Sequence, residues 1–225
     1  MQKFIIIAID GPAASGKSSV AKKLADKLGF LYVDTGAMYR AITFYAQENN
    51  IEENENRIID AVKKIDLVLK YSNGLTSVFI DGNDVTEKIR TPKVNSKVSD
   101  VSKIKEVRTE LVKLQRKFGE NNNLVVEGRD TTTVVFPNAD VKIYLTAEPK
   151  ERAKRRFIEF KEKGIEISQE DVEKSLLNRD SIDSTRAVSP LTKAEDAVEI
   201  DTTNLTIDQE IEKIVEKIRN NGKQN

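Results

Sequence analysis

Gly11-Pro12-Ala13-Ala14-Ser15-Gly16-Lys17-Ser18 fits G-x-x-x-x-G-K-[ST] without a mismatch. In this spacing each residue type has a task. The two glycines let the backbone turn into conformations that a Cβ would hinder. The loop N–H groups then converge on a phosphate, and the N-terminus of the following helix adds partial positive charge. Lys17 is placed to reach the outer phosphates of a nucleotide and the Ser18 hydroxyl to hold Mg²⁺.

The flanking residues predict the elements that hold this loop. Ile5 to Ile9 is an apolar, β-branched run of the kind that makes a fully buried strand. Val20, Ala21, Leu24, Ala25 and Leu28 recur at helical spacing, and Gly29 is placed as a stop. Strand, loop and helix in this order turn the motif into a phosphate-binding loop.

Composition narrows the chemistry. The 225 residues suffice for one large domain, and 37 basic residues balance 37 acidic ones. Net charge therefore supports no general nucleic-acid or membrane role. No apolar run approaches the ~20 residues of a membrane span. Met1-Gln-Lys leads into a short strand with no small-residue cleavage site, which argues against a signal peptide. There is no cysteine, which excludes disulfides and fits a cytoplasmic location. There is no histidine, which removes imidazole bases and His-ligated zinc. Carboxylates, Lys, Arg, hydroxyls and a bound metal remain, and phosphoryl transfer needs little more.

Further along, residues 31–33 read as a strand, and Asp34 or Thr35 caps a helix carrying Tyr39 and Arg40. Residues 54–64 read as a polar helix. Residues 67–71, 76–80 and a piece near Val85 read as an antiparallel meander, separated by Asn73-Gly74 and Asp81-Gly82. It is too small to stand alone and must pack on the main body. Residues 91–118, with Pro92 near the start, read as one helix holding Ser99 and Arg108, which nothing local marks as functional. A buried strand at 124–126 ends in Glu127-Gly128-Arg129-Asp130, where an acid resembles the second Mg²⁺-holding element of phosphate-loop proteins. Another strand, 141–145, precedes a helix from Pro149 whose Arg152, Arg155 and Arg156 share one face, either as a solvated stripe or as a clamp on transferring phosphates. Residues 169–180 read as a helix, with Arg179, Asp183 and Arg186 placed near a loop. A last strand at 197–200 and a helix at 206–219 follow.

Taken together, IDGPAASGKS, DTGAMYRAIT, the hairpin insert, IRTPKV, EGRDTTTVVFPNADVKIYL, ERAKRR, TRAVSPL and DTTNLTI resemble the bacterial cytidylate kinase family from about residue 4 to 218. The resemblance implies an α/β nucleoside-monophosphate kinase fold, with a five-stranded parallel sheet flanked by helices, a small antiparallel β insert and a helical lid. It implies one kinase domain over 1–225. The core would take 1–33, 119–148 and 192–225, the monophosphate-binding region 34–118 and the lid 149–191. The reaction would move the γ-phosphoryl group of ATP, with Mg²⁺, to CMP or dCMP. Gly11 to Ser19 (with Pro12, Ala13, Ala14, Ser15, Gly16, Lys17 and Ser18 between them) and Arg155 would bind ATP. Thr35, Tyr39 and Arg40 would line the CMP site, and Ser99, Arg108 and Asp130 would meet cytosine. Arg40, Arg129 and Arg186 would grip the phosphate, while Arg179 and Asp183 would hold ribose and phosphate. Lys17, Arg129, Arg152, Arg156 and Arg186 would act on the transferring group, Arg152, Arg155 and Arg156 as parts of the lid. A monomer without nucleic-acid or membrane partners is expected.

One position departs from the family, which usually has a hydrophobic residue and then Gly-Thr after Gly-Arg-Asp. Here Thr132 stands at the glycine. If that position needs positive φ, a β-branched residue is strained there. Three other readings compete. A regulatory GTPase would carry N-K-x-D, and Thr192-Lys-Ala-Glu-Asp196 has the wrong spacing. A kinase of the same architecture could act on UMP, another nucleotide or shikimate. A non-enzymatic nucleotide-binding domain would leave the lid arginines without purpose.

Overall fold

The computed structural model describes residues 4–72 and 75–221. The apolar run becomes β1 (Ile6–Asp10), followed after the loop by α1 (Lys17–Leu28), β2 (Leu31–Asp34) and α2 (Thr35–Glu48). The Asp34 carboxylate accepts from the Ala37 N–H and caps α2. An insertion follows: α3 (Glu55–Val62), β3 (Leu67–Ser72), β4 (Leu75–Ile80) and β5 (Asn83–Asp84), a 3₁₀ turn at Lys88–Arg90, then α4 (Pro92–Lys103) and α5 (Lys105–Gly119). The chain returns through β6 (Leu124–Gly128), a π-helical turn at Thr131–Val135, β7 (Val141–Thr146), α6 (Pro149–Glu162), α7 (Gln169–Thr185), β8 (Val198–Asp201) and α8 (Ile207–Asn221).

Five strands form a parallel sheet in the order β2-β6-β1-β7-β8. Chain order reverses around β1, so crossovers leave it on both sides, and a cleft opens at the carboxyl ends of the strands. Register brings Asp10, Gly128 and Tyr144 level there. One face buries Ile7, Ile9 and Ile143 against α1 and α8, through Val20, Leu24, Ile211 and Ile214. The other buries Ala8, Val33, Leu124 and Val126 against Val135 of the π-helical turn and Phe136 just after it. The meander does pack on the body: Leu67, Val78 and Ile80 share one cluster with Met38 and Ile42 of α2 and Leu111 of α5. Asp81 and Gly82 both have positive φ (49° and 78°), as the β4–β5 turn requires. Asn73-Gly74 lies outside the described residues. Among the described residues no helix is long and apolar enough to cross a membrane.

Two expectations are corrected. Residues 91–118 form two helices, because Ile104 is extended (φ −66°, ψ 116°). The apolar spacing runs through the break and hides it; the kink brings the Arg108 side chain back to the carbonyl of Ser102, 3.0 Å away. Helix α7 continues to Thr185, so Arg179 and Asp183 are helical and only Arg186 lies beyond it, as the residue that ends the helix. Val172 and Leu176 are the visible inward stripe, and Arg179 and Asp183 continue it at the same spacing with polar groups.

Thr132 is not strained. It is absent from the residues with positive φ, and it sits in the π-helical turn. Its N–H and hydroxyl donate to Asp10 Oδ2 at 2.7 and 2.6 Å, and the same groups of Thr131 donate to Oδ1 at 2.9 and 2.7 Å. Asp10 is fully buried, and burial raises its carboxyl above the ordinary range against these four bonds. Thr132→Gly should therefore destabilise the protein by about 1–2 kcal/mol, through a lost hydrogen bond and a freer unfolded chain, rather than relieve strain. Asp10→Ala, which orphans four buried donors, should cost on the order of 3 kcal/mol or more. Urea melts of both variants check this; a more stable Thr132→Gly protein would refute it.

Candidate active site

The cleft at the strand ends encloses about 700 Å³, within the range of small-molecule sites. Ala14 to Ser19 form its floor. The loop geometry depends on glycine at Gly11, where φ is 150° and a Cβ would stand 2.0 Å from the Leu145 carbonyl oxygen. Gly16, also at positive φ (91°), immediately precedes α1. Gly11, Pro12 and Ala13 stand behind the wall that Ala14 begins. Lys17 is only 4% exposed, and its Nζ donates to the Pro12 carbonyl at 2.6 Å and to Ser15 Oγ at 3.3 Å. Burial first, then the Arg129 charge, brings its amine down to about 7, against the pull of Glu127 and Asp10. Ser18 Oγ donates to Glu127 Oε1 at 2.5 Å, and Tyr32 OH donates to the same oxygen at 3.2 Å. Burial and the neighbouring Asp34 raise the Glu127 carboxyl. Serine hydroxyl and carboxylate are hard oxygen donors of the kind Mg²⁺ takes.

On the β2 side, Arg40 Nη2 pairs with Asp34 Oδ2 at 2.7 Å. Burial works to raise the Asp34 carboxyl, but Arg40 and Arg90 outweigh it and hold it low. Thr35 Oγ1 donates to the Glu127 carbonyl at 2.8 Å. Beyond lies a buried network. Arg108 is 2% exposed and donates to Asp130 Oδ2 at 2.5 Å, with Tyr39's ring 5.1 Å from its guanidinium carbon. Arg129 Nε donates to Asp183 Oδ2 at 2.9 Å. Arg186 lies 3.6 Å from Asp183 and 4.0 Å from Asp130. Arg129 and Asp130, adjacent in sequence, thus take different partners, each delivered by another element. Ser99 lines the same end.

This network is overloaded with unused donors. Tyr39 OH, Arg40 Nε, Arg108 Nε, Arg179 Nε and Arg186 Nη2 are buried without a hydrogen-bond partner. Burial and the charges of Arg129, Arg40 and Arg156 lower Arg179 to about 9 despite Asp183. Buried arginines with free N–H groups, Arg179 and Arg186 among them held below the ordinary range by burial and neighbouring cations, make a site for an anion.

Of Arg152, Arg155 and Arg156, only the last two line the cleft. Arg156 lines the cleft, with Glu159 2.8 Å away. Arg155 lines it too, with Nη2 on the Thr202 carbonyl at 2.6 Å and Nε on Glu151 at 3.1 Å. Arg152, expected at the transferring phosphate, is not among the residues that line the cleft. It donates to the carbonyls of Ala147 and Ala13, each at 3.0 Å, and pairs with Asp180, whose other oxygen accepts from the Ala13 N–H at 3.0 Å. Set in the first turn of α6, it is close enough to the end of β7 and to the loop to be consumed by their carbonyls. Sequence reasoning also passed over Arg90, Asn95, Ser102, Glu159 and Glu210, which line the cleft. For Glu210 a signal existed: with Ile211 and Ile214 it occupies the inward stripe of its helix.

Comparison with known proteins agrees with this architecture. A crystal structure of an uncharacterized protein from Eubacterium ventriosum shares the fold, with a TM-score of 0.53 at 14% identity over 97% of this chain and 99% of that one. A cytidylate kinase of Caldanaerobacter subterraneus subsp. tengcongensis is 53% identical over 218 residues, 96% of each chain. The Bacillus subtilis cytidylate kinase is 48% identical over 97% of this chain and 98% of its own. The sequence model of the family described as Cytidylate kinase matches residues 7–220. On this similarity, nearly end to end, the chain belongs to the cytidylate kinase family.

Proposed function

We propose that this chain transfers the γ-phosphoryl group of ATP to CMP or dCMP, with ATP phosphates on the Gly11–Ser19 loop and the monophosphate among Arg40, Arg129, Arg179 and Arg186. The observation that carries this assignment is the buried arginine cluster with unused donors facing the loop across one cleft. A second polyanion is what that cluster lacks.

The attacking group is a phosphate oxygen of the acceptor. Its second pKa of about 6 leaves it largely dianionic at neutral pH, so no strong base is needed and a chain without histidine suffices. The new bond joins that oxygen to the γ-phosphorus, the bond to the β–γ bridging oxygen breaks, and ADP keeps that oxygen. Lys17 would follow the outer phosphates, and Arg156, Arg129 and Arg186 would neutralise charge on the transferring group. Ser18 and Glu127 suit Mg²⁺, which when bound with ATP supplies further neutralisation of the phosphates. Asp130, held between Arg108 and Arg186, would accept from the cytosine amino group, where uracil offers an oxygen instead. Burial makes that mismatch expensive. Arg152 would position the loop rather than touch substrate. The reading carries with it a cytoplasmic monomer acting on small molecules.

Three measurements test it. With ATP and Mg²⁺, a coupled ADP-release assay should give strong turnover with CMP and dCMP and little with UMP, AMP or GMP; no turnover with either cytidine nucleotide refutes the reading. Asp130→Asn should raise KM for CMP about 10–100-fold with a much smaller change for ATP, and equal losses would remove Asp130 from the base pocket. Calorimetry in buffers of different ionisation enthalpy tests Lys17. Its amine is mostly neutral at pH 8 in the free site and must regain a proton beside phosphate, so ATP binding should take up a sizeable fraction of one proton at pH 8 and almost none at pH 6. Lys17→Arg, which stays charged, should lose most of that uptake.

A further inference from the structure

The parallel sheet runs from β2 at one edge to β8 at the other, and the cleft spans both. The β2 side holds Tyr39 and Arg40; the β8 side is closed by Arg155, Thr206, Leu205, Ile207 and Glu210. With the phosphates on the loop and the acceptor on the β2 side, the β8 side is where the donor's nucleoside goes. Ile207 is 41% exposed there, an apolar surface facing a cavity. Arg155 uses its edge on Thr202 and Glu151, which leaves the face of its guanidinium for stacking on a flat ring.

Glu210 is the anomaly of this wall. It is 2% exposed, its Oε2 has no hydrogen-bond partner, and that oxygen lies 3.2 Å from where a Cβ on Gly16 would stand. A buried acceptor without a donor is costly. Phosphate oxygens cannot relieve the ionised carboxylate, because they too only accept. Of the groups in a nucleoside triphosphate, only ribose hydroxyls and an exocyclic amino group donate. The apolar and planar neighbours favour the base over the sugar.

Resting on the kinase reading above, we infer that Glu210 determines specificity for the phosphate donor, its Oε2 accepting a hydrogen bond from the exocyclic amino group of adenine while the ring lies between Arg155 and Leu205 and Ile207. A 6-oxo purine presents an acceptor at that position and leaves Glu210 unrelieved. Burial, only partly offset by Arg155, raises the free carboxyl to about 7, so the donors are compared at pH 8, where the ionised form accepts and cannot donate to a 6-oxo group.

The test compares ATP, ITP and 2′-deoxy-ATP as donors at saturating CMP, in the native enzyme and in Glu210→Met, which keeps bulk and removes the acceptor. The native enzyme should prefer ATP over ITP, and in Glu210→Met the ATP/ITP ratio of kcat/KM should fall about 10-fold or more, chiefly through KM for ATP. A thermal melt at pH 8 should show Glu210→Met at least as stable as the native protein, since an unpaired buried carboxylate is gone. An unchanged ATP/ITP ratio overturns the inference. So does a variant that loses only discrimination against 2′-deoxy-ATP, which would put Glu210 on the ribose. A native protein inactive with every donor would overturn the kinase reading itself, and this inference with it.

Discussion

The carboxylate of Asp10 ties the two working loops of the molecule to one strand. It ends β1, the strand from which the phosphate-binding loop departs, and it holds the turn that follows Arg129 and Asp130. Two loops that diverge from adjacent strands would otherwise move independently. Four bonds to one buried group make them a unit, and Gly11 packed on the Leu145 carbonyl adds β7 to it. Phosphoryl transfer depends on such positioning more than on any reactive side chain.

Electrostatics works against that rigidity. Arginines 40, 129, 179 and 186 are gathered where burial disfavours charge, and Asp34, Asp130 and Asp183 hold them with incomplete pairing. Truncating one member of such a network leaves an uncompensated buried charge, so these groups are coupled rather than additive. On the proposed reading, incoming phosphate would exchange partners with the aspartates and add acceptors to donors that have none. The same burial and crowding bring the Lys17 amine down to about 7, and phosphate beside it would favour its charged form.

What could be read from sequence follows the range of the interactions. The loop, its strand and its helix are local, and the motif with its flanking apolar periods specifies them. Arg129 and Asp130 were placed at a strand's carboxyl end for the same reason. Their partners were not legible, because Asp183 and Arg108 arrive from helices far along the chain, one hidden by a break at Ile104 and the other by a helix whose inward face turns polar after Leu176. Thr132 looked like a strained substitution only while its neighbour was unknown; Asp10, more than a hundred residues earlier, gives its hydroxyl a use. Arg152 showed the converse, a residue whose spacing matched a clamp and whose hydrogen bonds went to the scaffold.

Arg152 also ties α6 and α7 to the phosphate-binding loop. Through Arg152 and Asp180, helices α6 and α7 grip both the N–H and the carbonyl of Ala13. The two helices also share a small core in which Ala153, Val172 and Leu176 pack with Ala13. The α6–α7 pair is therefore a cantilever clamped at its root to the Gly11–Ser18 loop. Its far end is the Gly164 turn, so any shift of the loop would be delivered to the fixed end of the beam.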